Sequence, residues 1–130
     1  MKTNQYLLLF SGPDWTTGLA PQEVQEMMDR THAWFDRLFG EGKAKGAQPL
    51  EKTGRTISIK NGMIADGPFV ESKESIGGYL LLEVADEEEA VAIARQNPML
   101  TAGLNIEVRP VADICPSVRA ALEKTALATA

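Results

Sequence analysis

Residue types that mark several common functional classes are scarce in this chain. It has one cysteine, Cys115, and one histidine, His32, among 130 residues. A single cysteine excludes an internal disulfide and fits a reducing compartment, so we expect a cytoplasmic protein. Without a cluster of histidines and cysteines, the sequence has no pattern of zinc ligands. We therefore expect neither a metal nor an organic cofactor.

An excess of basic residues and a long apolar run are also missing. Thirteen Lys and Arg residues stand against eighteen Asp and Glu residues, so the formal net charge is −5. This charge gives no attraction to the phosphates of nucleic acids or to an anionic membrane. The apolar run at residues 6–10 is too short for a signal peptide or a membrane span. Nucleic acid and membrane are therefore not expected partners.

The hydrophobic pattern predicts five strands. Residues 6–10 are continuously apolar, and residues 79–84 are apolar except for Glu83, which is typical of strands buried on both faces. Residues 55–60 and 104–109 alternate between apolar and polar side chains and predict half-buried strands. A further strand is expected at residues 45–50.

Helices are predicted between these strands and at the C-terminus. Pro21 opens the first helix, whose apolar side chains recur at helical spacing until Gly40. Asp86 and Glu89 resemble a capping box at the start of the second helix. Residues 117–127 have helical spacing and predict a terminal helix.

The stretch at residues 66–78 is dense in turn residues and charges. Asp66 precedes a Gly-Pro pair, which predicts a turn closed by the Asp66 side chain. Gly77 and Gly78 permit a bulge or a close approach of another backbone. Two interpretations stay open: a loop that lines a polar pocket, or a tight turn whose charges are solvated.

His32 is the candidate acid/base residue. Helical spacing places it at the margin of the apolar stripe, with Asp29 and Asp36 on the same flank. Acidic neighbours can orient an imidazole ring as in a general base. The alternative is a half-exposed histidine with solvated acidic neighbours. No Ser or Cys nucleophile stands in a recognisable motif, so a catalytic triad is not expected.

A set of motifs carries a family resemblance. In chain order they are Asp66-Gly67-Pro68-Phe69, Glu71-Ser72-Lys73-Glu74, Gly77-Gly78-Tyr79, Asn97-Pro98, Gly103 and residues 106–111. With them the chain resembles the DGPF branch of the YCII-related family over most of its length. The resemblance implies a dimeric, ferredoxin-like α+β domain and implies little about chemistry. Ala20 departs from the serine that commonly opens the first helix in this branch.

The order of the predicted elements agrees with that fold. It is a βαββαβ antiparallel sheet with helices on one face, with an extra hairpin at the Asn61-Gly62 turn signal and a C-terminal helix. We expect residues 1–112 to form the domain and residues 113–130 to form a helical arm. The two continuous apolar runs belong at the centre of the sheet.

Two helices cover only one face of such a sheet. Leaving three or four large apolar side chains of the other face in water would lose about 1.5–3 kcal/mol each. Exposed patches of this kind mark interfaces, and a two-fold homodimer through the open face would bury them. The alternative is that the terminal helix covers this face within one chain.

The first function hypothesis is an enzyme acting on a small molecule in a cleft near the DGPF loop. The YCII-related fold is similar to that of muconolactone isomerase, and proton transfer next to a carbonyl needs no metal. On this hypothesis His32 and Asp66 are the catalytic residues. The residues expected to bind an anionic ligand are Phe69, Lys73, Glu74, Tyr79 and Arg109.

The second hypothesis is a regulatory or protein-interaction module. The DGPF branch is associated with extracytoplasmic-function sigma factors, so the resemblance implies a link to transcription through protein contact. A third possibility is that the DGPF loop only locks the sheet and binds no ligand.

Overall fold

The computed structural model of the chain describes residues 4–68 and 74–129. Within these ranges the chain forms six strands, three α-helices and one 3-10 helix. In chain order the elements are β1 (Asn4–Ser11), α1 (Pro21–Gly40), β2 (Ala44–Pro49), β3 (Arg55–Lys60), β4 (Met63–Pro68), β5 (Ile76–Val84), α2 (Glu87–Arg95), the 3-10 helix (Pro98–Ala102), β6 (Asn105–Pro110) and α3 (Pro116–Thr129). None of the described helices is long and apolar enough to cross a membrane.

The main sheet has four antiparallel strands in the order β2-β5-β1-β6. β1 and β5 contain the two continuous apolar runs and lie at the centre, with Leu8 opposite Leu80. β6 is an edge strand and ends at Pro110, which has no backbone donor. The helices α1 and α2 connect these strands in the βαββαβ order of a ferredoxin-like α+β domain. The predicted fold class is confirmed.

The core lies between the sheet and the two helices. Leu8, Leu80 and Leu82 are fully buried on one face of the sheet, and α1 contributes Trp34 and Leu38. Strand alternation sends every second side chain to the same face, so these residues form one layer under the helices. Complete burial of one leucine stabilises the fold by about 1.5–3 kcal/mol.

The two core helices begin differently. Asp86 accepts a hydrogen bond from the Glu89 backbone N–H at 2.9 Å, and the Glu89 carboxylate accepts one from Ala85 N–H at 3.1 Å. The predicted cap at Asp86 is therefore confirmed, whereas the reciprocal bond of a capping box goes to Ala85 N–H and not to the N–H of Asp86. α1 keeps only the reciprocal half, in which the Glu23 carboxylate accepts from Ala20 N–H at 3.0 Å, because alanine has no side-chain acceptor.

β3 and β4 form a two-stranded sheet separate from the main one. Asn61 and Gly62 at its turn have φ values of 53° and 76°, as a two-residue hairpin turn requires. The predicted hairpin is confirmed. The prediction that residues 55–60 would be half-buried is wrong, because all six are exposed. Alternation shows that a strand has an apolar face, but it does not show that this face is covered.

Asp66 lies in β4, opposite Ile57, so the predicted turn closed by its side chain is wrong. The pairing of β3 with β4 continues to Arg55 and Pro68, which keeps the backbone extended through the Gly-Pro pair. The Asp66 carboxylate instead lies 3.5 Å from the guanidinium of Arg55. Both side chains are exposed, so this ion pair adds only about 0–1 kcal/mol.

The other face of the main sheet carries a half-buried apolar group. Cross-strand pairing places Leu7 opposite Leu81 and Leu9 opposite Tyr79, and alternation puts all four on the face away from the helices. The terminal helix α3 does not cover this face within the chain, because residues 111–125 are all exposed. We call this group of four residues the open face.

Candidate functional site

A cavity of about 710 Å³ lies at one end of the main sheet. Its wall is built from α1, the ends of β1 and β2, the beginning of β5, the loop after β1 and the region of the 3-10 helix. This volume falls in the range of about 300–1,000 Å³ that is typical of small-molecule sites. In it, chemistry-bearing side chains converge with apolar ones.

Two glycines at the start of β5 shape this end of the sheet. The register of β1 and β5 shifts here, so that Phe10 pairs with Gly78 and Ser11 pairs with Ile76, leaving Gly77 unpaired in a bulge. A Cβ on Gly78 would lie 3.1 Å from the Gln48 carbonyl oxygen. The predicted bulge and close approach are both confirmed. They allow β2 to come close to β5 beside the cavity.

Aromatic rings form the apolar part of the wall. Phe10 and Phe35 line the cavity and meet edge to face with centroids 6.3 Å apart. Behind them Trp34 packs edge to face on Phe35 at 4.9 Å. Half-buried Trp15 adds a further ring from the loop after β1. Because the rings pack against one another, this part of the wall is held by the core.

One face of α1 borders the cavity. The lining residues follow helical spacing and are Met28, Thr31, His32, Phe35, Asp36 and Phe39. The two acids that flank His32 therefore differ. Asp36 shares the cavity with His32, whereas Asp29 accepts a hydrogen bond from the Gln25 side chain at 2.8 Å. His32 itself is exposed and has no hydrogen bond or ion pair within the described part of the chain.

Asn97 is one of two buried polar residues of the described wall, with only 3% of its surface exposed; the other is Thr31, whose hydroxyl donates to the Met27 carbonyl oxygen. Its side-chain oxygen accepts a hydrogen bond from Met99 N–H at 2.8 Å and caps the 3-10 helix. Sequence analysis noted Asn97-Pro98 only as a family motif and missed it as a site residue. An asparagine directly before a proline is a helix-start signal, and that signal indicates the cap but not the cavity.

Charged groups also reach the cavity. The Asp14 carboxylate accepts hydrogen bonds from the Thr16 hydroxyl at 2.5 Å and from Thr16 N–H at 2.9 Å. These bonds lower the pKa of Asp14, and the positive charge of Lys52 lowers it further. With Asp36, the described wall therefore carries two carboxylates and one ammonium group.

The structure brings some of the predicted site residues together and not others. His32 and Tyr79 both line the cavity. Asp66 does not, because it lies on the hairpin beside Arg55. Among the described residues no group of three or more His, Cys, Asp or Glu is placed to hold a metal ion.

The remaining predicted binding residues lie elsewhere. Arg109 is on β6 opposite Leu7, and its guanidinium lies 3.4 Å from the Glu107 carboxylate. Glu74 is exposed in the turn before β5. Phe69 and Lys73 lie outside the described residues. Among the described residues, Tyr79 is therefore the one expected binding residue that borders the cavity, although strand alternation places its side chain on the open face, away from α1.

The model of the YCII-related domain matches residues 6–115 of the chain. The chain belongs to the YCII-related family. The match includes the main sheet, α1, α2, the inserted hairpin and all described residues that line the cavity. The candidate site of this YCII-related protein therefore lies within the family's domain, and α3 follows it. No curated protein matches the chain in sequence.

The arrangement in this YCII-related domain suits proton transfer on a bound molecule. An imidazole can take up a proton near neutral pH, and the His32 ring borders the cavity without a protein partner in the described chain. The aromatic wall provides the apolar surface that holds a small ligand.

Proposed function

We propose that this YCII-related protein binds a small molecule in the cavity beside α1. The observation that supports the proposal is a cavity of about 710 Å³ with a mainly apolar wall and a few polar groups, among them His32 and Asn97. Apolar concavities with a small number of placed polar groups are the usual form of a ligand site.

The proposed chemistry is acid/base catalysis by His32 on the bound molecule. His32 takes a proton from a carbon next to a carbonyl group, and the same ring or solvent returns it. Asp36 is the carboxylate that shares the cavity with this ring. The role of Asp66 as a second acid/base group stays a prediction. It requires the hairpin that carries Asp66 to approach a ligand-binding cavity.

Thermal unfolding against a panel of small carboxylic acids, lactones and phenols tests binding. A ligand at 100 times its Kd stabilises the protein by about 2.7 kcal/mol, which gives a measurable rise in Tm. We expect His32→Ala to keep the Tm of the free protein and to reduce the ligand-induced shift. Asp29→Asn is the matched control, because Asp29 is on the same helix but is bonded to Gln25. A shift that is equal in both variants would remove His32 from the site.

Proton transfer is tested with any ligand found in this way. In D2O the wild type is expected to exchange hydrogen for deuterium next to the ligand's carbonyl group, as followed by NMR. Loss of a general base lowers such a rate by about 10²–10⁴-fold, so His32→Ala should be almost inactive. Binding without exchange would leave a binding protein and no enzyme.

We also propose that two copies of the chain pair through the open face. Leu7, Leu9, Tyr79 and Leu81 form a contiguous half-buried group on the sheet, and α3 leaves this group uncovered. Leu9→Glu should therefore shift sedimentation to the monomer. Leu122→Glu on exposed α3 is the control and should leave the dimer intact. A monomeric wild type would end this proposal.

A second candidate function is a protein-interaction module, and the hairpin favours it. Ile57, Ile59 and Ile64 share one face of the hairpin and are 62%, 72% and 75% exposed. Exposed apolar groups of this kind mark contact surfaces. A module of this type would bind no member of the panel, and His32→Ala would not affect it.

A further inference from the structure

The orientation of the Asn97 side chain is fixed by its one hydrogen bond. A backbone N–H can only donate, so the atom that faces Met99 N–H at 2.8 Å must be the amide oxygen. The amide NH2 group therefore points the other way. Asn97 is only 3% exposed, so its side chain is buried apart from a small accessible part.

The Asn97 NH2 group faces the cavity. Within the described part of the chain, the Asn97 side chain makes no hydrogen bond except the one that it accepts from Met99 N–H. Among the described residues that are not exposed, no inaccessible side-chain nitrogen or oxygen lacks a partner. The Asn97 nitrogen must therefore be accessible, and the cavity is the space that Asn97 lines. It is a buried donor held in place for an acceptor that enters the cavity.

The surroundings of this donor define the rest of the ligand. Phe10 and Phe35 offer packed aromatic surfaces, which favour a flat apolar body. The described wall carries two carboxylates, Asp14 and Asp36, and one ammonium group, Lys52, so its formal charge does not favour an anion.

We infer that Asn97 is the residue that selects the ligand, and that the ligand is an uncharged, flat, apolar molecule with a carbonyl or similar acceptor group. The Asn97 NH2 group donates to that acceptor while its oxygen continues to cap the 3-10 helix. This inference rests on the proposed binding function and names the ligand class for the same cavity.

A pair of matched probes tests the inference by calorimetry and NMR. The probes are 2-acetylnaphthalene and 2-ethylnaphthalene, which share a ring system and differ by a carbonyl in place of a methylene group. One added hydrogen bond is expected to make the ketone bind about fivefold more tightly. The ketone, and not the hydrocarbon, should also shift the Asn97 side-chain NH2 signals.

Asn97→Asp removes the NH2 group and keeps an oxygen for Met99 N–H, so the preference for the ketone should disappear. If Asn97→Asp does not fold, Asn97→Ser is used in its place, because the serine hydroxyl also provides a capping oxygen. Asn105→Asp is the matched control, because it makes the same amide-to-acid change at an exposed position of β6 that does not line the cavity. We expect this control to keep the preference.

The outcomes separate the two claims. Equal binding of the two probes by the wild type, or loss of the preference in Asn105→Asp alone, overturns the inference and leaves the binding function. Tighter binding of 2-naphthoate than of the ketone overturns the uncharged ligand and supports an anionic one. Failure of all three probes to bind overturns the flat apolar ligand if a member of the panel of acids, lactones and phenols does bind. If no member of that panel binds either, the proposed function is removed as well.

Discussion

The Trp34 indole N–H donates a hydrogen bond to the Ile93 carbonyl oxygen at 3.2 Å and so joins α1 to α2 inside the core. The same Trp34 ring packs on Phe35, which borders the cavity. The two core helices and the aromatic wall of the site therefore depend on one side chain.

Trp34→Phe is expected to lower the free energy of unfolding by about 2–4 kcal/mol. The change removes one of the two donors to the Ile93 carbonyl, which keeps Gln96 N–H at 3.1 Å, and leaves space beside Phe35. Urea denaturation measures the loss. Trp15→Phe, at the half-buried loop position, is the control and should cost under about 1 kcal/mol. Similar losses in the two variants would contradict this account of the core.

Gly78→Ala is expected to destabilise the protein by about 1–3 kcal/mol. The added Cβ would lie 3.1 Å from the Gln48 carbonyl oxygen and 3.4 Å from the Pro49 Cα atom. Both are backbone atoms, so β2 must move to make room. Gly46→Ala in β2 is the control, because a Cβ there meets nothing within 4 Å. Denaturation midpoints of the two variants should differ clearly, and equal midpoints would show that the strands separate freely.

Asp86→Ala is expected to cost about 0.5–2 kcal/mol, because the first turn of α2 loses the acceptor for Glu89 N–H. Asp86→Asn keeps a side-chain oxygen at the cap and should recover most of the loss. Thermal unfolding of the two variants measures this difference. If the asparagine variant were as unstable as the alanine variant, charge rather than the hydrogen bond would account for the effect.

Thr16→Val is expected to raise the pKa of Asp14 toward its ordinary value. The Thr16 hydroxyl is the main cause of the lowered pKa, and the backbone N–H bond stays in the variant. NMR titration of the Asp14 carboxyl carbon measures the change. Thr17→Val is the neighbouring control and should leave the pKa where it is in the wild type.

The sign of the linked stability follows from that lowered pKa. The folded state binds a proton at Asp14 less readily than the unfolded state, whose aspartate pKa is about 3.9. The stability that Asp14 contributes is complete above this value and is lost as the pH falls through the lower folded-state pKa. Thr16→Val should narrow the acidic pH range over which this stability is lost. Unfolding curves that respond equally to pH in both proteins would contradict the assignment.

The strand order could be predicted from sequence because each strand carries its environment in its own pattern. Continuous apolar runs such as residues 79–84 need cover on both sides, so they belong at the centre of the sheet. The Asn61-Gly62 turn and the Asp86 cap are equally local, since each depends on a few neighbouring residues. Features that depend on a few neighbouring residues can therefore be predicted from the sequence without knowledge of the fold.

The candidate site could be predicted only in part because its wall is assembled from distant segments. His32 was found because it is the one histidine, and its place at the margin of a helix face agrees with the cavity wall. Asn97 joins His32 only after the chain has folded, and no periodicity relates the two. The position of Asp66 depended on how far β3 and β4 pair, which the turn residues around it did not indicate.

The two segments that connect the hairpin of β3 and β4 to the main sheet line the cavity, whereas the described residues of the two hairpin strands do not. Leu50 and Lys52 lie on the segment that leads into it, and Ser75 lies on the segment that leads out. Substitutions in these two connecting segments change the lining of the cavity, while the layer of buried leucines stays the same. The lining of the cavity can therefore diverge during evolution without a loss of foldability, because the residues that line it at these positions are not those that form the core.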